Sequence, residues 1–417
     1  MSIPQSMAPL RDRTFRAVWL GSFVSNIGTW MQAAALGYYV ADLTRSAGWT
    51  AVTAAAEFAP TALLSPIGGA LADRVSRKAL FLAGTIAQAL LASVLTVLMV
   101  ATKPGAPVIA LYALLNGCVF ALVFPAFQAI IPDLVEQEEL PAAIALNSAQ
   151  WNLGRVIGPA LGAGIYALFG IPWVLAFNAV SFFAVVIALL LVHIPRPVPA
   201  TGPIFAAIMQ GLRFVRREPG LRLVLESLAL NTLCIAPFIG LISAMVVKVF
   251  DSGKASVGLL ITAQGLGAVV TGFTYGNVAA RYGVRRVMLG SMIALPVAVS
   301  AYALAPNVAW AAVGLFFTGM FYFASLTSFS TIAQLRAPSE YRGRVLSVNQ
   351  VVLGVGYTIA LNIQGQLGDH IGLRQVTVGF ACLSLIVISV TWLVRRGVTR
   401  VLDAAPEPAA IPALAGR

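Results

Sequence analysis

Charged side chains are scarce in this chain. Lys and Arg number 27 and Asp and Glu 15, so 10% of the 417 residues are charged, whereas 59% are hydrophobic. Soluble domains are about a quarter charged, and one with this balance would expose apolar surface and aggregate. Histidine is also rare, with only His193 and His370, so a His-rich metal site or a His-based triad is not expected. The three cysteines, Cys118, Cys234 and Cys382, are odd in number and far apart, so neither a disulfide framework nor metal-ligand spacing is present. No G-x-x-x-x-G-K-[ST] run occurs, so no P-loop binds ATP. No stretch is polar enough for a soluble catalytic or nucleic-acid-binding domain. An enzyme, a bound cofactor and a nucleic-acid partner are therefore not expected, and an ion gradient or passive flow must drive any transport.

What is present is a succession of apolar runs of about 20 residues, the length that crosses a bilayer. Twelve are expected, at 17–40, 49–71, 79–101, 107–130, 142–169, 172–193, 223–247, 256–279, 287–305, 308–334, 345–368 and 374–394. The N-terminal 14 or so residues carry Arg11 and Arg13 and lead into a run with no cleavage-site pattern, so the first span is expected to stay. The fold class is all-α and integral to the membrane: twelve transmembrane helices in two pseudo-symmetric six-helix bundles. The bundles are expected at 1–193 and 223–417, with a linker at 194–222. Ile204, Ile208, Leu212 and Val215 recur at helical spacing within the linker, which predicts an amphipathic helix on the membrane surface.

Basic residues are distributed unevenly. The termini and the loops on their side carry 21, the opposite loops five (Arg45, Lys103, Lys248, Lys254 and Arg374), and Arg155 lies inside a span. Lys and Arg accumulate on the cytoplasmic side. Both termini are thus expected in the cytoplasm, with the chain in a cell membrane. The net charge of +12 reflects this sidedness rather than nucleic-acid binding.

The halves echo each other. Gly69-Ala-Leu-Ala-Asp73-Arg74-Val-Ser-Arg77-Lys78 is matched 207 residues later by Gly276-Asn-Val-Ala-Ala-Arg281-Tyr-Gly-Val-Arg285. Leu146, Gln150, Leu153 and Gly154 are matched 200 residues later by Leu346, Gln350, Leu353 and Gly354. Two six-span repeats around a central path describe a secondary transporter.

The segment from Gly69 to Lys78 resembles the signature after the second span in the major facilitator superfamily. That resemblance implies a cytoplasmic latch made by Gly69, Asp73, Arg74, Arg77 and Lys78, closed when the opposite side is open. Ala280 replaces the acidic residue in the second copy, so that latch is degenerate. Span five carries Gly154, Arg155, Gly158, Pro159 and Gly162, which resembles the antiporter motif of exporters, although Ala163 departs from it. The glycines share one helix face and also read simply as a close packing stripe. Phe15-Arg16, Trp19 and Ser25-Asn-Ile-Gly28-Thr-Trp30 are similar to a bacterial branch of enterobactin-exporter-like and macrolide-efflux-like permeases.

Ionisable groups inside spans are functional candidates by default. Glu57 lies 16 residues before Asp73, about 24 Å along a helix. Its carboxyl group is a candidate proton carrier. Arg155 keeps its charge and needs a carboxylate, a carbonyl or an anionic substrate. Glu226 is a third coupling candidate, with pairing to Arg222 as the plainer reading. Ser22, Ser25, Asn26, Thr29 and Gln32 share a face of span one, and the resemblance adds Asn116, Asn231 and Thr327 on spans four, seven and ten as cavity candidates. The acidic run from Asp133 to Glu139 reads as a solvated helix start, with pairing to a basic loop as the alternative.

The expected activity is export of a small hydrophobic or amphipathic molecule, siderophore-like or drug-like, by proton antiport from a monomer. Import, lipid flipping and sensing without transport are the alternatives.

Overall fold

The computed structural model describes residues 5–192, 204–394 and 398–402. His193 and the prolines from Pro195 to Pro203 lie outside the described residues, as do the side chains of Asp73, Ile204 and Ile208. Among the described residues the regular structure is entirely helical. The first half consists of α1 (Arg13–Thr44), α2 (Ala47–Arg74), α3 (Arg77–Ala101), α4 (Ala106–Ile130), α5 (Leu140–Phe169) and α6 (Ile171–Leu191). Helix α7 (Ile204–Arg217) follows. The second half consists of α8 (Pro219–Cys234), α9 (Phe238–Lys248), α10 (Lys254–Tyr282), α11 (Val284–Leu304), α12 (Val308–Arg336), α13 (Ser339–Leu367) and α14 (Leu373–Val394). Helices α8 and α9 together form span seven, so twelve spans result.

Local chemistry sets the helix ends. Asp12 accepts from the backbone N–H groups of Thr14 and Phe15, Ser46 from Trp49 and Asn307 from Trp310. Gly170 and Gly283 stand between consecutive helices at φ 89° and 82°, a conformation that favours glycine. At 1.5 Å per residue, even the 21-residue α6 and α11 reach across the roughly 30 Å hydrocarbon core. Leu90, Val97 and Val100 on α3 and Phe273 on α10 are largely exposed, as a lipid-facing surface requires.

Among the described residues, eight stretches are long and apolar enough to cross a membrane by length and composition alone. Helices α1, α2 and α5 are not among them. All three border the other half of the protein, and a helix shielded from lipid there can carry polar and small residues.

Span seven departs from the continuous helix expected. It breaks between Cys234 and Phe238, where Pro237 cannot donate a hydrogen bond. The buried Gln364 side chain of α13 donates to the Leu233 and Cys234 carbonyls at 3.0 and 3.2 Å, satisfying acceptors that the break leaves without helical partners. Helix α7 also differs from a helix resting wholly on the lipid surface. Phe214 and Val215 are buried against Tyr341 and Val345 of α13, with the Phe214 and Tyr341 rings stacked at 4.6 Å.

Within the second half, α10 and α12 cross with their backbones touching. A Cβ on Gly319 would come within 2.8 Å of the Gln264 carbonyl carbon, and one on Gly267 within 2.8 Å of the Met320 nitrogen. Gly319→Val must therefore spread the crossing, at a cost of about 1–3 kcal/mol. A several-fold fall in monodisperse protein on gel filtration is expected, and an unchanged yield would contradict this packing.

Candidate functional site between the two halves

The halves meet along α2 with α13 and α5 with α10. At one end of this seam, remote from the Arg-rich loops, Asp369 joins them. It lies between α13 and α14 and accepts from Ser46 Oγ at 2.5 Å, Ala47 N at 2.7 Å and Gly48 N at 2.9 Å, all at the start of α2. Lys248 at the end of α9 forms an ion pair with the same carboxylate. Burial raises the Asp369 pKa, but donation by Lys248, Ser46, Gly48 and Ala47 outweighs it and lowers the carboxyl to about 2. Beside this cluster Arg45 reaches the Val247 carbonyl and Asp251.

At the basic end the same helices diverge. A Cβ on Gly69 of α2, or on Gly272 or Gly276 of α10, would meet nothing within 4 Å. Arg74 is exposed. Arg77 donates to the Ala129 carbonyl and pairs with Asp133 at 2.8 Å, and Lys78 donates to the Val192 carbonyl at 2.5 Å. All three contacts stay inside the first half. Asp133, read from sequence as a solvated helix start, is thus an ion-pair partner of the loop after α2.

Between these ends lies a polar site in the apolar interior. Arg155 on α5 donates from Nη2 to Gln264 Oε1 of α10 at 2.8 Å, and its guanidinium sits over the Trp30 ring of α1, 5.5 Å from the centroid. Its Nε and the Trp30 indole N–H are buried without partners among the described residues. Tyr322 of α12 and Tyr357 of α13 lie near Arg155, and Tyr357 also lies near Glu57 of α2. Glu57 is half-buried and forms no ion pair among the described residues. The Phe58 ring beside it meets Tyr357 edge-on at 5.7 Å. Four helices, α2 and α5 of the first half and α12 and α13 of the second, thus bring one carboxyl group, one guanidinium and two phenols to one region.

The glycines of span five serve close packing. Cβ atoms on Gly154, Gly158 and Gly162 would press on Asn26, Trp30 and Met31 of α1. Pro159 lies on another face, where a Cβ on Gly258 of α10 would come 2.9 Å from its carbonyl oxygen. Pro159 lacks the N–H that would bond the Arg155 carbonyl, and Thr262 of α10 donates to the next carbonyl, Val156, at 3.2 Å.

The remaining candidates separate by position. Ser22, Asn26 and Thr29 line a cleft inside the first half. Gln32 instead belongs to a buried network, accepting from Asn178 at 2.9 Å and donating to the Tyr112 hydroxyl at 2.7 Å. Asn116 accepts from Gln88 at 3.3 Å. The Asn231 amide nitrogen is buried without a partner among the described residues, just before the break in span seven. Thr327 is half-buried on α12. Glu226 accepts from Arg222 at 2.8 Å in an exposed pair one helical turn apart. Trp30, Gln264 and Tyr357 escaped the sequence reading, because uncharged residues in spans look like ordinary packing.

Comparisons with known proteins agree with this architecture. The enterobactin exporter EntS of Salmonella typhimurium is 27% identical over 365 residues, covering 85% of each chain. Macrolide efflux protein A of Streptococcus pyogenes is 23% identical over 373 residues, covering 87% of this chain and 91% of that protein. The structure of a bacterial homolog of the human lysosomal transporter Spinster, inward-facing and occupied, superposes with a TM-score of 0.74 at 15% identity, covering 96% and 99% of the two chains. A POT family transporter in complex with 5-aminolevulinic acid superposes with a TM-score of 0.75 at 10% identity, covering 93% and 97%. At these identities the structures show the shared fold alone. The transmembrane secretion effector family matches residues 4–412. This multi-pass membrane protein therefore belongs to that family, within the major facilitator superfamily of secondary transporters.

Proposed function

We propose that the chain exports a small hydrophobic or amphipathic molecule in exchange for protons, with both termini in the cytoplasm of a bacterial cell. The observation that carries this reading is the central site. Glu57 lies there without an ion-pair partner among the described residues, and Tyr357 of the other half meets the neighbouring Phe58 ring at 5.7 Å. A carboxyl group in that position changes its charge with the proton it holds, and so alters the electrostatics of the seam in step with the halves. The names of the relatives, an enterobactin exporter and a macrolide efflux protein, support outward movement.

On this reading the structure is inward-open, with the Asp369 cluster closing the outer end. Gly69, Asp73, Arg74 and Arg77 close the cytoplasmic end in the alternate state, while Lys78 anchors α3. The six-helix halves, 1–193 and 223–417, rock about α2, α5, α10 and α13, and the linker at 194–222 joins them. A monomer suffices, because each half supplies the other's packing partner.

Everted membrane vesicles with a preformed proton gradient test the proposal. Siderophores, macrolides and lipophilic cations are added while a quenchable pH dye is followed. A compound that collapses the gradient in wild type, with the response lost in Glu57→Gln, is the expected result. A response that survives Glu57→Gln removes Glu57 as carrier. No response to any compound overturns proton-driven export.

A further inference from the structure

The cleft inside the first half is walled by rings. Phe120 and Phe124 of α4 meet Trp151 of α5 with centroids 6.2 and 5.7 Å apart, and all three residues line it. Its polar lining is entirely uncharged: no Asp, Glu, Lys, Arg or His is among the lining residues. Three of the polar groups have no partner among the described residues. Ser22 Oγ, Asn26 Oδ1 and Gln150 Oε1 are each buried and make no hydrogen bond, while their residues are only 7%, 7% and 1% exposed.

Orphaned buried oxygens are uncommon because each forfeits its hydrogen bonds with water. Here the amide nitrogens of both side chains are already engaged. Asn26 Nδ2 donates to the Gln150 carbonyl at 3.3 Å, and Gln150 Nε2 donates to Asn147 Oδ1 at 2.8 Å. Their free atoms are therefore acceptors, and the groups they lack are donors.

We infer that this cleft is the cargo subsite and takes a neutral aromatic moiety carrying hydrogen-bond donors, a phenol or an anilide N–H. The ring slots against Phe120, Phe124 and Trp151, and its donors reach Asn26, Gln150 and Ser22. A charged group would enter without a counter-charge, so the site discriminates against ions. The cleft also communicates with the central site. Trp151 meets Trp30 edge-on at 6.1 Å, and Trp30 carries the Arg155 guanidinium on its face. A ligand that shifts Trp151 presses on the ring beneath Arg155. This inference rests on the exporter reading for the word cargo, whereas the binding chemistry stands on the cleft alone.

Equilibrium dialysis of the full chain in lipid nanodiscs tests it, with empty nanodiscs correcting for partition into lipid. The probes are 4-hydroxybenzanilide, its O- and N-methylated counterpart and tetraphenylphosphonium. Wild type should bind the hydroxy anilide about tenfold or more tightly than the methylated compound, the effect of one or two hydrogen bonds. Gln150→Leu should reduce that preference to less than about threefold. Ser22→Ala, which removes one oxygen, should weaken the preference while leaving the melting temperature unchanged, and so covers the case in which Gln150→Leu fails to fold. Equal binding of the two anilides, tighter binding of the cation, or a preference untouched by either folded variant overturns the assignment. Donor preference without cargo-driven proton movement in vesicles would keep the site and sink the exporter reading. Proton movement without donor preference would do the reverse.

Discussion

Glu218→Ala is expected to destabilise the second half by about 3–5 kcal/mol, the usual cost of removing one partner from a buried ion pair. Glu218 and Arg336 are 3% and 6% exposed. Glu218 Oε1 takes Arg336 Nη2 at 2.5 Å and Nε at 3.1 Å, while Glu218 Oε2 caps α8 through the Leu221 backbone N–H. Arg336 Nη1 also donates to the Val401 carbonyl at 3.0 Å. One pair thus ties the start of span seven, the end of α12 and the segment after α14. Gly220 permits it, because a Cβ there would lie 2.5 Å from Arg336 Cζ. Truncating the acid leaves a buried guanidinium without its carboxylate. The double substitution Glu218→Leu with Arg336→Met removes both charges and should recover most of the loss. Thermal unfolding in detergent, followed by a thiol-reactive dye on the buried Cys234, measures both effects. A double variant as unstable as Glu218→Ala would show that the pair's geometry, rather than an orphaned charge, sets the cost.

The second large effect concerns the seam. Asp369→Asn should raise the population open at that end by about tenfold to a hundredfold, because hydrogen bonds to charged groups contribute about 1.5–3 kcal/mol each. The substitution removes the ion pair with Lys248 and places an amide against the N–H groups that begin α2. Those groups form the positive end of a helix dipole, where a carboxylate is favoured. Spin labels on the exposed Leu43 and Ile371, one in each half near this end, report the opening as a longer distance. An unchanged distance distribution would show that packing such as Ala51 against Gly365 holds the end closed without the carboxylate.

The pH dependence has a definite sign. A carboxyl lowered from 3.8 to about 2 contributes its full stabilisation above about pH 4 and loses it as pH falls through about 2. The label distance should therefore stay constant from neutral pH down to about pH 4 and lengthen below it. The Asp369 cluster is a lock that ordinary pH leaves shut, so the proton exchange proposed above does not run through it.

Charge made part of the central site legible. Glu57 and Arg155 stood out because an ionisable residue in an apolar run is costly to insert. Their surroundings did not stand out, since Trp30, Gln264 and Tyr357 are uncharged and common in spans. Asp369 was equally hidden, being one acid in a short loop. Only the approach of residues 46–48, more than 320 positions earlier, makes it a lock. Glu218 and Arg336, 118 residues apart, gave no local signal of pairing.

The sequence by itself determined the solvent, the span count and the uneven spread of basic residues, because bilayer insertion responds to local hydropathy and loop charge. It also determined the glycine stripe on span five, whose spacing places small residues on one face. Tertiary structure decided what each stripe meets, where span seven breaks and which end of the seam is held closed. Those outcomes depend on which helices become neighbours. A glycine needs the opposing backbone to become a contact, a broken helix needs Gln364 to receive its donor, and a loop carboxylate needs a distant helix start to become a lock.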